Sequence, residues 1–102
     1  MMKFRVLTGI ALVAMAFTAN AQIKIGISLA TTGPAASLGI PEKNTVSLYP
    51  ATVAGQKIEY IVLDDASDTT TARKNFEKLT SEDKVDALIG PSTSPTTLAV
   101  IE

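Results

Sequence analysis

The sequence predicts an α/β chain built around a parallel sheet, and three observations predict it. Strand-like and helix-like stretches alternate from residue 23 onward. The run Ile23-Lys24-Ile25-Gly26-Ile27-Ser28-Leu29 alternates apolar and polar side chains with a period of two. Between Thr69 and Asp83, Ala72, Phe76 and Leu79 recur at spacings of four and three, an apolar stripe with charged residues opposite. The resulting β-α-β-α-β-α order calls for parallel strands joined by right-handed crossovers, with strand order 2-1-3, the start of a doubly wound sheet.

The first 21 residues read as an address. Lys3 and Arg5 precede a twelve-residue apolar run, Val6 to Phe17, followed by Thr18-Ala19-Asn20-Ala21. That run is shorter than the roughly 20 residues that cross a bilayer. The small residues at 19 and 21 suit a signal peptidase, so cleavage is expected after Ala21. Export follows from that reading, with residues 22–102 as the mature part.

After the first strand, the small-residue loop Ala30 to Gly39 breaks the pattern. Pro41 is placed to open a weak helix reaching towards Val53, with Pro50 ending or kinking it. Gly55 turns the chain into a second strand, Lys57 to Leu63. Asp68 is a good N-cap for the helix from Thr69 to about Asp83. A short third strand, Asp86 to Ile89, ends at Gly90, and a Ser/Thr/Pro loop leads to a helix containing Leu98, Val100 and Ile101. In that loop Pro95 is expected at the first helical position with Ser94 as the N-cap.

Composition narrows the chemistry. The 81 residues from Gln22 keep seven basic and ten acidic side chains, a formal charge of −3, without a basic run interleaved with aromatics. Nucleic acid is therefore not an expected partner. Cysteine and histidine are both absent, which removes disulfides, thiolate zinc, Ser-His-Asp and Cys-His catalysis and His-ligated zinc. No enzyme activity and no cofactor are expected.

In an open parallel sheet a ligand binds beyond the carboxyl ends of the strands, where crossovers part to opposite faces. Order 2-1-3 puts that crevice between the first and third strands, beside the loops Thr31–Leu38 and Pro91–Thr97. Ser92, Thr93 and Ser94 bring three hydroxyls to it, next to a helix start that suits a carboxylate. The same residues also fit an ordinary turn in which Ser94 caps its own helix. Asp64, Asp65 and Asp68 likewise fit two readings: a metal or phosphoryl-acceptor site as in receiver-like domains, or a strand-to-helix turn capped by Asp68. Gly90-Pro91-Ser92 lacks the Gly-Lys-Ser/Thr of a phosphate loop.

Several segments together resemble a known family. Ile23-Lys24-Ile25-Gly26 leads to Thr32-Gly33-Pro34-Ala35-Ala36 and Leu38-Gly39; Asp64-Asp65-Ala66-Ser67-Asp68, Ser81-Glu82-Asp83-Lys84-Val85-Asp86 and Ile89-Gly90-Pro91-Ser92 follow in order. In that order and spacing they resemble the N-terminal lobe of the periplasmic binding proteins of the branched-chain amino acid (leucine/isoleucine/valine) ABC transporter family. The resemblance implies part of a two-lobed fold that closes on an amino acid or a related small carboxylate or amide and delivers it to a membrane permease. It implies a monomer at full length. Carried over position by position, it makes Ser92, Thr93 and Ser94 the ligand-carboxylate contacts, Ser94 foremost, with Leu38 lending a side chain where the family often has an aromatic one. Members of the family are several times longer, so the chain is expected to be an N-terminal fragment. Two other classes stay open: a flavodoxin-like or receiver-like domain using Asp64 and Asp65, and a cytoplasmic amide-sensing regulator of the same fold.

Overall fold

A computed structural model describes residues 22–101, so the leader reading of residues 1–21 lies outside the described residues. The elements in chain order are β1 (Ile23–Leu29), α1 (Ala36–Val46), β2 (Thr52–Val53), β3 (Gln56–Asp64), α2 (Thr69–Ser81), β4 (Ala87–Ile89) and α3 (Ser94–Leu98). They form one sheet in the order β2-β3-β1-β4. β1 is central and parallel to both neighbours, with Ile25 opposite Tyr60 on β3 and Ala87 on β4. Its three parallel strands reproduce the expected order 2-1-3.

Alternation along β1 sends its side chains to two layers. Gly26 and Ser28 face α2: Leu79 packs over Gly26 at a distance a Cβ would nearly close, and Asn75 Nδ2 donates to Ser28 Oγ at 3.1 Å. Ile27 and Leu29 face α1 and line a cavity with its residues. The two helices therefore lie on opposite faces, as a doubly wound sheet requires. Ile27, Leu29, Ala30, Ala72 and Leu79 make the buried apolar centre. The α2 stripe supplies two of them, which is why the 3–4 periodicity identified this helix. Asp68 caps it as expected, accepting from Thr71 N at 2.7 Å.

The stretch between β1 and β3 differs from expectation. Pro41 does not open α1; the helix begins five residues earlier and contains it. Its first turn is fixed by Gly39, whose ideal Cβ would stand 2.0 Å from the Ala30 carbonyl oxygen. Only glycine permits that approach, and it seats the helix on the end of β1 despite a proline in its second turn. The helix also ends earlier, at Val46, in tight turns from Leu48 N to Thr45 O and Tyr49 N to Val46 O. The segment expected to continue it to Val53 is instead β2, paired antiparallel to β3 with Val53 opposite Gln56. Ala54 and Gly55 join the two strands with φ of 51° and 77°, the double positive-φ turn that matches strand twist in a two-residue hairpin.

The last helix starts one residue before the expected position, with Thr93 as N-cap and Ser94 inside the first turn. Thr93 is extended (φ −127°, ψ 154°), and its carbonyl accepts from Thr97 N at 2.9 Å. Pro95 then falls at the second helical position, where its missing N–H still costs nothing. The helix stops at Leu98 and does not include Val100 or Ile101; the Ala99 carbonyl instead accepts from Arg73 Nε at 3.2 Å. A basic side chain on a terminal carbonyl is a familiar way to satisfy it.

Candidate functional site

Three loops meet at the carboxyl ends of β1, β3 and β4. The first two are bound together by Asp64, the last residue of β3. Its carboxylate accepts from Thr31 N (3.0 Å), Thr32 N (3.2 Å), Thr32 Oγ1 (2.5 Å) and Ala66 N (2.8 Å). Ser67 adds a second tie, accepting from Ala35 N at 2.9 Å and donating to Thr32 O at 3.1 Å. Ala66 and Ser67 adopt φ of 52° and 61°, a region that costs energy for residues with a Cβ. They are held there by side chains two residues back: Asp64 accepts from Ala66 N and Asp65 from Ser67 N.

These neighbours push the two carboxyls apart. Desolvation alone would raise Asp64, but hydrogen bonds from Thr32, Ala66 and Thr31 together outweigh it and hold the carboxyl below its usual value. Asp65 has no accessible surface, and its desolvation, reinforced by the nearby Asp64 charge, lifts it above its usual value despite the bond from Ser67. For Asp68, on the surface, the N–H and hydroxyl of Thr71 lower the value. The cluster is thus fully engaged in its own turn. Among the described residues no group of three or more His, Cys, Asp or Glu side chains is arranged to hold a metal.

The opposite signs give an expected result. Stability from Asp64 is complete above its unfolded value near 3.8 and is lost as pH falls through its lower folded value. Asp65 works the other way, because the folded chain keeps its proton to higher pH than the unfolded one. Its contribution is complete below 3.8 and is lost as pH rises to the folded value. Asp65→Asn should therefore be more stable than the parent in urea melts at neutral pH, with the difference vanishing near about pH 3. A variant less stable at every pH would refute burial as the cause.

The third loop is attached to the first by one side chain. Ser92, half-buried, accepts from Ala30 N at 3.1 Å and donates to Glu42 Oε2 on α1 at 2.5 Å. Gly90, with φ of 100°, lies against the Ser28 backbone and lowers the loop onto β1. Thr93 and Thr96 share a hydroxyl contact of 2.7 Å inside the first turn of α3. Ser94 is exposed at the start of that helix, and Leu38 is 52% exposed on the first turn of α1. Of the four residues expected at the site, Ser92 and Thr93 thus lie in the loop after β4, while Ser94 and Leu38 lie in the first turns of α3 and α1. None of the four lines the 340 Å³ cavity beneath α1, which is walled by Ile27, Leu29, Val46, Tyr49 and Ile89 with Glu42 at its rim. That cavity lies on the α1 face of the sheet and extends to the strand ends, where Gly90 and Pro91 of the loop after β4 also line it.

Sequence reasoning missed Glu42; of its two readings of the aspartate cluster the strand-to-helix turn capped by Asp68 is the one seen, with Asp64 also binding the first loop to that turn. Asp64 had a readable signal, since an aspartate at a strand end before a small-residue turn is a habitual acceptor for nearby backbone N–H groups. Glu42 had none, because its partner is 50 residues away.

Comparison with known proteins agrees with this architecture. The family model described as periplasmic binding protein matches residues 22–102. An extracellular ligand-binding receptor from Rhodopseudomonas palustris HaA2 is 50% identical, with a TM-score of 0.74 over 76% of this chain and 22% of its own. The solute-binding protein of an ABC transporter from Rhodopseudomonas palustris BisB5, solved with 3,4-dihydroxybenzoic acid, is 35% identical, with a TM-score of 0.73 over 76% of this chain and 23% of its own. The leucine-binding protein LivK from Thermotoga maritima is 28% identical, with a TM-score of 0.73 over the same shares. No curated protein matches the chain. The chain thus spans about a fifth of the length of these solved relatives, matching the N-terminal part of their fold. It is a member of the periplasmic binding protein family.

Proposed function

We propose that the chain supplies part of the N-terminal lobe of an exported, non-enzymatic solute-binding protein that delivers a small carboxylic acid to an ABC transporter permease. The observation that carries this is the family match over residues 22–102, joined to a hydroxyl-rich loop at the strand ends. In this reading Ser94 and Thr93 receive the ligand's carboxylate with the backbone of their loop. Ser92 lies at its edge, and Leu38 contributes an apolar wall. The carboxylate meets hydroxyls and the N–H groups of a helix start, while Glu42 on α1 and Asp64, bonded to Thr31 and Thr32, bring fixed negative charge to the same end of the sheet. The relatives support two kinds of acid, an amino acid as the name of LivK states and an aromatic acid as in the BisB5 complex. The leader at residues 1–21 would direct the protein to the periplasm.

One lobe leaves most of a small ligand open to water, whereas good sites bury about 70–90% of it. The chain by itself is therefore expected to bind leucine or 3,4-dihydroxybenzoate only near millimolar affinity, roughly 4 kcal/mol. An amide-resolved NMR titration should show shifts concentrated at residues 92–97 and 31–38, and Ser94→Ala should abolish them. No shift at millimolar ligand would sink the functional assignment. Calorimetric binding in the micromolar range would sink the half-site argument instead.

A further inference from the structure

We infer that Glu42 is a positioning residue for the loop after β4 and, resting on the function just proposed, that it sets the polarity Ser92 shows a ligand. Ser92 carries one hydroxyl proton, and Glu42 Oε2 takes it. One lone pair of Ser92 Oγ accepts from Ala30 N. Ala30 has no accessible surface, so its N–H has no water to turn to. Ser92 is consequently clamped between the end of β1 and the side of α1. A hydroxyl with an uncharged neighbour can rotate and offer its proton elsewhere, whereas one held by a carboxylate does so at the expense of a charge-assisted bond.

What remains on Ser92 is a single acceptor lone pair. The ligand's acid group is then received further along the loop, at Thr93 and Ser94. A group facing Ser92 is favoured when it donates: an ammonium, a hydroxyl or an amide N–H. A second carboxylate on the ligand would meet the Glu42 charge and a hydroxyl without a free proton. Ligands with one acid end and a donor elsewhere fit this arrangement, and dicarboxylates do not.

The test uses the full chain with Glu42→Ala, Glu42→Gln, Ser92→Ala and the double variant Glu42→Ala/Ser92→Ala. Native-state hydrogen exchange at the Ala30 amide is read against the β1 amides of Ile27 and Leu29, which report whole-chain opening. Glu42→Ala should speed exchange at Ala30 roughly tenfold with Ile27 and Leu29 unchanged. Glu42→Gln keeps an acceptor oxygen and should restore most of the protection. In the Ser92→Ala background the Glu42→Ala change should add nothing further. Unchanged exchange at Ala30, or an effect that survives without Ser92, overturns the positioning role. NMR titration with leucine, 3,4-dihydroxybenzoate and succinate then reads selectivity: the parent should reject succinate and Glu42→Gln should narrow the gap. Equal succinate binding by the parent overturns the polarity argument. A positioning effect in a chain that binds none of the three leaves Glu42 tied to Ser92 and removes the function on which the selectivity rests.

Discussion

Replacing Gly90 by alanine is expected to cost the fold about 3–5 kcal/mol, enough to unfold much of a domain of this size. Two effects add there. Gly90 has φ of 100°, where an L side chain is strained by roughly 1–3 kcal/mol. The new Cβ would also stand 2.0 Å from the Ser28 carbonyl oxygen, a backbone atom of the central strand that cannot swing aside. Relief requires β4 or its loop to lift from β1, which would break the Ile27–Ile89 end of the ladder and draw Ser92 from Ala30 N. Gly55→Ala is the matched control, because Gly55 has φ of 77° but nothing within 4 Å of an added Cβ. It should show the strain alone, about 1 kcal/mol. Urea melts of the two variants beside the parent measure the difference. Equal losses would mean that the close approach to Ser28 carries no energy.

The second large effect is expected at Asp64. Asp64→Ala removes the acceptor for three backbone N–H groups and one hydroxyl, and with it the tie between the first loop and the turn before α2. Full burial would make each orphaned donor cost about 1–3 kcal/mol, but water reaches most of this turn. A net loss of roughly 2–4 kcal/mol follows. Asp64→Asn keeps the oxygen that serves the three N–H groups, and its amide can donate to the Thr32 hydroxyl. That variant should lose about 1 kcal/mol, mostly the charge. The gap between the parent and Asp64→Asn should close in acid, where the parent carboxylate takes up its proton and its stabilisation is lost. Melts at neutral and acid pH, with the amide resonances of residues 31–35 as local reporters, decide it. Equal losses for Ala and Asn would show that charge, not acceptor geometry, holds the loop.

How much of this could be read from the sequence depends on how local each cause is. β1 was readable residue by residue because alternation over seven positions is itself the signal. α2 was readable because Asp68 and the Ala72/Leu79 stripe act within one helix. Strand order followed from the chain's alternation and the handedness of crossovers. α1 was not readable at its start, since the determinant is Gly39 against the Ala30 carbonyl, a contact between elements, while Pro41 argued locally for a later beginning. The β2 strand is two residues long and has too few positions to show a period; its real mark is the turn at Ala54-Gly55. At the candidate site the loops were legible from their Ser, Thr and Pro content. The Glu42–Ser92 link was not, because no local pattern marks a carboxylate as the partner of a hydroxyl 50 residues away.

The central place of β1 also bears on time. Its partners lie about 35 residues ahead on β3 and 62 ahead on β4, so the first strand of the fold is the last to be saturated. Two loops must close before it gains both neighbours, and each closure spends chain entropy ahead of any pairing. Such a chain collapses slowly relative to a helical one of equal length and stays extended for longer after leaving the ribosome. An unpaired, isoleucine-rich strand persists through that interval, and it is then that the molecule is most exposed to pairing with another copy of itself.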